Sequence, residues 1–350
     1  MTPIHRYAAL ACAASFVAGC QSGPSAEKRP EAAQPLPAVD MVIGNNFGHL
    51  PMFVAVEKGF FKKHGVDVRL KVVNTGTDMV NSMHKNEVQF GDMSVTTFLK
   101  ARHAGAPFLV VGMIMNDATT AFADQPLAIV ARMGSGIAKV EDLRGKRVGL
   151  AREQTSDEYF KMVLARRGMK YEDVTIENIM APPALGPALA EGRVDAVVSW
   201  EPYNVMAMSR APDSYEVLRG GGHLSYMMIA TVHDPMLQDN PELIQSFVNG
   251  LAAASHYTRR HRAEAVEIFA KWVPGVNLEV ARKAIQHISF DPRMSRESLR
   301  AFENAQNDLL RLTIKNARPL TITDVVLTRF TEAAQQAHPE YFSDLPPLAR

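Results

Sequence analysis

The sequence predicts an α/β protein built as two lobes, and three observations carry that prediction. From Asp40 to Val232, short apolar runs alternate with helical patterns, the order expected when strands are covered by helices. The stretch Ala188 to Tyr203, ALAEGRVDAVVSWEPY, holds one such unit in full. Ala188, Leu189 and Ala190 end a helix, Gly192 stops it, and Ala196, Val197 and Val198 form a strand without alternation, the pattern of a strand buried on both faces of a parallel sheet. At 350 residues the chain can also close two domains with full cores.

Composition narrows the function classes. With 47% hydrophobic and 21% charged residues the chain reads as globular, and 38 basic against 37 acidic side chains give a net charge of +1. No nucleic-acid footprint is visible in that balance. No internal run approaches the ~20 apolar residues of a membrane span, so membrane attachment has to come from the N-terminus. There, His5 and Arg6 precede the apolar stretch Tyr7 to Gly19, of signal-peptide length, which closes on Val17, Ala18, Gly19 and Cys20. That ending resembles a bacterial lipobox, with Cys20 the lipidated residue; the alternative is an ordinary secretory signal with a chance cysteine. Residues 1–19 are then a signal peptide and 20–38 a disordered tether, since Gln21 to Ala38 is rich in Pro, Ala, Ser, Glu and Gln without apolar periodicity. Such a tether reaches ~20–25 Å. Both cysteines, Cys12 and Cys20, lie in this segment, so the processed body is expected to carry no disulfide and no Cys-based metal site.

The elements follow in order. Asp40 to Ile43 is a strand running into a polar loop, Gly44 to His49. Pro51 opens a helix that Gly59 ends. Val66 to Val73 is a second strand; Thr77 or Asp78 is expected to cap a helix over Met79 to Lys85, leaving free N–H groups that suit a polar or anionic ligand. Val88 to Gly91 is a third strand, followed by Asp92, Met93, Ser94 and a helix from Val95 to His103. Phe108 to Met115 is a strongly apolar strand ending at Asn116 and Asp117. Leu127 to Ala131 starts a new unit. Thr155 and Ser156 are expected to cap a helix from Asp157 to Arg167, whose first-turn acids suit the helix dipole and compete with a bare anion. Val174 to Ile179 is a strand, and Pro182 and Pro183 start a short helix. Gly220, Gly221 and Gly222 form a hinge-like break before a last strand, Met227 to Val232, and from Asp234 onward the pattern is helical. In open α/β sheets ligands sit beyond the carboxyl ends of strands, which places Trp200 and Glu201 where a ligand is read; ordinary core for Trp200 and a solvated charge for Glu201 is the competing reading.

With Pro51, Ala55, Gly59, Phe60, Gly65 and Val68, then Gly91 and Ser94, then Asp142, Leu143, Gly145, Lys146, Val148 and Gly149, and finally Leu189, Gly192, Asp195, Ala196, Trp200, Glu201 and Pro202, the chain resembles the periplasmic solute-binding proteins of nitrate, sulfonate, taurine and thiamine-precursor importers. The resemblance implies a type II periplasmic-binding-protein fold, two α/β lobes with a hinge and a ligand cleft between them, without a cofactor and without catalysis. One lobe is expected over 39–125 plus 219–350, the other over 126–218. The implied partners are a small-molecule ligand, the permease and ATPase subunits of an ABC importer, and a membrane reached through the lipid anchor, with the protein itself a monomer at the periplasmic or cell-surface side. Carried over by position, the ligand contacts fall on Asn45, Asn46, His49, Thr77, Ser94, Asn116, Thr155, Ser156, Trp200 and Glu201.

For the ligand, the expected site offers Asp78, Asp117 and Glu201 and no Arg, and uncompensated carboxylates beside a desolvated anion are costly. A ligand with its own donor, such as an amine or a ring amino group, fits better, which favours a small organic solute, zwitterionic and taurine- or sulfonate-like, or aromatic or heteroaromatic, over nitrate or bicarbonate. Met113, Met115, Met227 and Met228, with Phe47 and Trp200, are candidates for an adaptable apolar wall, or for plain core. Two other functions compete: a lipoprotein that senses a ligand for a membrane partner, and an enzyme like the thiamine-pyrimidine synthases, whose Cys-rich motif this chain lacks.

Overall fold

The computed structural model describes residues 35–348 except 274, 315 and 316. The expected signal peptide, lipidation at Cys20 and most of the expected tether lie outside the described residues. The described residues from Leu36 onward form one compact unit. Its strands are β1 (Ala38–Gly44), β2 (Asp67–Val73), β3 (Phe90–Ser94), β4 (Phe108–Met115), β5 (Leu127–Ala131), β6 (Arg147–Leu150), β7 (Thr175–Asn178), β8 (Ala196–Trp200), β9 (Tyr215–Arg219) and β10 (Met228–His233).

They make two sheets on one plan, ordered β2-β1-β3-β10-β4 and β7-β6-β8-β5-β9. In the first, β1 pairs in parallel with β2 and β3, while β10 lies antiparallel between β3 and β4. In the second, β6 pairs in parallel with β7 and β8, and β5 lies antiparallel between β8 and β9. The antiparallel strand of each sheet is the first one the chain makes after crossing from the other. Both sheets are therefore mixed, which corrects the all-parallel surroundings expected for Ala196 to Val198. The non-alternating pattern was a sign of burial on both faces, and β4, β5 and β8 are buried along their whole length.

Helices cover the sheets: α1 (Leu50–Glu57), α2 (Phe60–Lys63), α3 (Gly76–His84), α4 (Val95–His103), α5 (Thr155–Arg166), α6 (Leu185–Ala190) and α7 (Tyr203–Arg210), then α8 (Asp234–Asp239), α9 (Pro241–Arg260), α10 (Arg262–Trp272), α11 (Leu278–Ala284) and α12 (Arg296–Leu312). The longest, α9, packs on α1, α2 and β4. Its Phe247 stacks between Phe61 and Phe90 at centroid distances of 4.9 and 4.2 Å, pairs each worth about 0.5–1.5 kcal/mol beyond area burial. Gly192, at φ 69°, ends α6 in the left-handed conformation that a side chain would resist. Among the described residues no helix is long and apolar enough to cross a membrane.

Two helix starts differ from expectation. Thr75, not Thr77 or Asp78, caps α3: its hydroxyl accepts the Asp78 N–H at 3.1 Å and its carbonyl the Met79 N–H at 3.2 Å, so Thr77 sits inside the first turn. For α5 the cap is Gln154, whose carbonyl takes the Glu158 N–H at 3.2 Å, and Thr155 and Ser156 are first-turn residues. The third strand extends through Asp92 to Ser94, one strand more precedes the triple glycine, and β9 is half-exposed at a sheet edge. The two crossings between the sheets, at 116–126 and 220–227, are tied together by Asp124, whose carboxylate accepts the N–H groups of Gly222, His223 and Leu224 at 3.2, 2.7 and 3.3 Å.

Candidate functional site

The site begins where β1 ends. Asn46 turns the chain by accepting the Gly48 N–H on its side-chain oxygen at 2.8 Å, and the turn delivers His49 back toward the sheet. The ring fits because residue 44 is glycine: a Cβ there would lie 2.4 Å from His49 Nε2. On its other edge, His49 Nδ1 is 2.6 Å from Asp92 Oδ2, and both side chains are fully buried. Burial pushes the Asp92 carboxyl up, against the pull of His49. The contact is an ion pair without hydrogen-bond alignment: neither His49 ring nitrogen and neither Asp92 oxygen has a hydrogen-bond partner.

Three helices start around that ring. Ser94 caps α4, its hydroxyl accepting the Thr97 N–H at 3.2 Å. Gly76 opens α3, and Gln154 and Thr155 open α5. Together with Asn46, His49, Asn74, Trp200, Tyr226 and Met228 they enclose a cavity of about 40 Å³, room for a group the size of a few waters. Trp200 ends β8, is 8% exposed, and its indole N–H has no partner. Burial, with Asp92 nearby, raises the Tyr226 phenol. Among the described residues no carboxylate, lysine or arginine lines the cavity.

The walls come from both sheets, and they touch. Thr155 donates to Ser94 at 3.2 Å, the Gly76 N–H reaches Gln154 Oε1 at 3.4 Å, Tyr203 donates to the Asn45 carbonyl at 3.2 Å, and Lys100 pairs with Glu158 at 2.9 Å. The cleft is closed. The first-turn acids of α5 are satisfied elsewhere: Asp157 by Lys161, Tyr171 and the Glu153 N–H, Glu158 by Lys100 and Thr313.

Of the residues expected at the ligand, Asn46, His49, Ser94, Thr155 and Trp200 are brought to this cavity. Asn45 stands beside it, its amide donating to Asn74 at 2.9 Å. Four others are placed elsewhere. Thr77 is not on the wall. Asn116 is buried and donates to the Arg293 carbonyl and Ser298 at 3.0 and 3.1 Å, a packing role for the C-terminal segment. Ser156 is buried with its hydroxyl unpartnered. Glu201 is sealed against Arg219 at 2.8 Å, and burial pushes its carboxyl up to about 7. The premise that carboxylates crowd the site also fails: Asp78 accepts from Thr75 and Asp117 from Thr119, and neither lines the cavity. Of the methionines and aromatics considered for the wall, Met228 and Trp200 are on it, and Met113, Met115, Met227 and Phe47 are core.

Sequence reasoning passed over Asn74, Gln154, Tyr226 and Asp92. Asp92 carried a readable signal: an acid inside the short apolar run Phe90 to Ser94 has to be buried, and a buried acid needs a partner.

Comparison with known proteins places this geometry. The family model described as NMT1/THI5 like matches residues 46–265. A Brucella abortus protein named as a binding protein is 23% identical over 235 residues, 66% of this chain and 70% of that one. A 4-amino-5-hydroxymethyl-2-methylpyrimidine phosphate synthase of Saccharomyces cerevisiae is 23% identical over 252 residues, 68% and 71% of the two chains. Among solved structures, the periplasmic aliphatic sulphonate binding protein SsuA from Escherichia coli superposes with a TM-score of 0.69 at 20% identity, covering 80% of this chain and 89% of that one. The fold is that of the periplasmic binding proteins.

Proposed function

The chain belongs to the NMT1/THI5-like family, and from that premise we propose that it is the solute-binding component of an ABC importer, working at the periplasmic face and held to a membrane by a lipid on Cys20. Its solute is a small organic molecule that presents an anionic oxygen group, of the sulfonate or carboxylate type, to the cavity. The observation that carries this reading is the convergence of the first turns of α3, α4 and α5 on one cavity whose walls bring hydroxyls, amides, an imidazole and an unpartnered indole N–H, and no carboxylate. Helix N-termini favour negative charge, and buried donors without partners favour an acceptor. The likeness to a sulphonate-binding protein supports the same class. The closed cleft leaves little room, so the solute body enters only when the walls part, by hinge motion at the two crossings.

Binding without catalysis is favoured by the same contacts. Asp92, His49 and Ser94 have the residue types of a hydrolytic triad, but the Ser94 hydroxyl is held by Thr96, Thr97 and Thr155 at 3.0–3.2 Å, and His49 Nε2 bonds to no hydroxyl. The would-be nucleophile has no base.

The test is a thermal-shift screen against taurine, alkyl and aromatic sulfonates, aromatic carboxylates, nitrate and pyrimidines. A true ligand at 100 times its Kd adds about 2.7 kcal/mol and raises the midpoint by roughly 5–10 °C. Sulfonates or carboxylates should give the shift. A response to pyrimidines alone, or silence from a folded protein free of bound ligand, overturns the solute class.

A further inference from the structure

We infer that Glu158 is a clasp across the cleft: it holds the two sheets together without touching the solute, so that the empty protein populates the closed form and the closed fraction sets the solute affinity. The inference rests on the reading that the walls part to admit a solute, and on no particular solute. It adds a residue that determines affinity from outside the cavity.

Glu158 stands in the first turn of α5, which packs on β8 of the second sheet, and it is 3% exposed. Each of its carboxylate oxygens is met from the other side of the cleft. Oε1 accepts from Lys100 Nζ of α4 at 2.9 Å, and Oε2 accepts from the hydroxyl of Thr313, just past the end of α12, at 3.0 Å. The two donors belong to one body, because α12 packs on α4 with Phe98 and Phe302 edge to face at 6.3 Å. Lys100 also donates to the Glu153 carbonyl at 3.1 Å, so one ammonium grips two groups at the start of α5.

The other contacts across the cleft named above, Thr155 to Ser94, Gly76 to Gln154 and Tyr203 to Asn45, join neutral groups. Water can replace either side of such a bond when the walls part, at little net change. The bonds of Glu158 to Lys100 are charge-assisted, a class roughly twice as strong. With the sheets apart Glu158 keeps Lys161, at 3.8 Å on its own helix, and that ammonium is already committed to Asp157 at 2.9 Å. Asp157 is the matching acid on the same turn, 1% exposed, and its partners Lys161, Tyr171 and the Glu153 N–H all lie on the second-sheet side. The two neighbours differ in whether their bonds cross the cleft. Lys100, Glu158 and Thr313 do not line the cavity, so the clasp acts on the solute through the closed population: the apparent Kd is the intrinsic Kd divided by the fraction that is closed.

Trp200 reports the state of the cleft, since it lines the cavity and is 8% exposed, and Trp272→Phe removes the second tryptophan from the signal. The experiment is acrylamide quenching of that full protein with no solute added. Trp200 should be shielded in this parent. Glu158→Gln, whose single acceptor oxygen cannot serve both cross-cleft donors, and Lys100→Met should each raise the quenching severalfold, and Asp157→Asn should leave it unchanged. Circular dichroism checks that the variants are folded, and either clasp variant serves if the other is not. In a second arm, calorimetry with benzenesulfonate and with benzoate should give an affinity lowered by the ratio of the closed fractions. Trp200 as well shielded in the clasp variants as in the parent overturns the inference. So does a parent whose Trp200 is already as open to acrylamide as theirs, or an Asp157→Asn protein that opens to the same extent. If neither acid binds, the solute class fails, and the quenching arm still decides the clasp because it uses no solute.

Discussion

Two buried ion pairs stand on opposite sides of the closed cleft, and they are built to different ends. His49 and Asp92 have only each other: one ion-pair contact at 2.6 Å, with neither ring nitrogen and neither carboxylate oxygen in a hydrogen bond. Glu201 is met by Arg219 at 2.8 Å and by the Val205 N–H at 3.4 Å, while Arg219 also donates to Glu216 and to the Gln125 carbonyl. Burial is the same in both, and each leaves polar atoms without a hydrogen-bond partner: Glu201 Oε1 on one side, both His49 ring nitrogens and both Asp92 oxygens on the other. What differs is the neighbourhood, since Val205, Glu216 and Gln125 join the Glu201–Arg219 pair to the fold around it and nothing comparable joins His49 and Asp92. Glu201 was expected to read the ligand from its place after a strand, and its geometry instead ties the end of β8 to the end of β9.

The largest effect should come from breaking the Glu201–Arg219 pair. Arg219→Met takes a donor from Glu216 and the Gln125 carbonyl and leaves the Glu201 carboxyl, already pushed up by burial, to keep its proton, which is expected to cost about 1–3 kcal/mol in urea unfolding at neutral pH. Solute affinity of the fraction that stays folded should change little by comparison. A loss under ~1 kcal/mol would mean that the pair is not sealed and that the contrast between the two sides is wrong.

The second prediction disturbs the His49–Asp92 pair through its backbone. In Gly44→Ala the new Cβ would lie 2.4 Å from His49 Nε2 and 2.8 Å from the Met79 methyl. The methyl can swing away, but the ring is held by Asp92, so either the ring leaves the carboxylate or the strand shifts. Overpacking of this kind costs about 1–3 kcal/mol in stability, and the solute affinity should fall at least tenfold because the ring that lines the cavity is displaced. A variant that binds as wild type does would show that His49 is not held where the solute needs it.

How much of this was legible in the sequence follows from what each signal depends on. Strands Phe108–Met115 and Leu127–Ala131 read with their full bounds, because uninterrupted apolar runs need no knowledge of neighbours. Strand β9 did not: YEVLR carries two charged residues and lies half-exposed at an edge, so nothing in its composition announces pairing. The helix starts slipped by one to three residues because several hydroxyl and amide side chains stood in a row, and only the φ and ψ of Thr75 and Gln154 decide which of them caps. At the site, Asn46, His49, Ser94 and Trp200 could be located from strand ends. Tyr226 could not, because it reaches the cavity only when the chain returns from the second sheet. Asn116 looked the same as they did in sequence; its strand end is covered by the segment at Phe290 and Arg293, which no local pattern foretells.

The last prediction distinguishes the pairs by pH. Burial raises the Glu201 carboxyl from 4.5 to about 7 in the folded protein. Between those values the unfolded chain has lost the proton and the folded chain keeps it, so the folded state binds more protons and stability from this group falls as pH rises from about 4.5 to about 7. Glu201→Gln cannot titrate and should remove that slope from the pH dependence of the thermal midpoint across the window. Solute affinity should be unchanged, since Glu201 does not line the cavity. If Glu201→Gln instead weakened solute binding while leaving the midpoint profile unchanged, the roles of the two pairs would have to be exchanged.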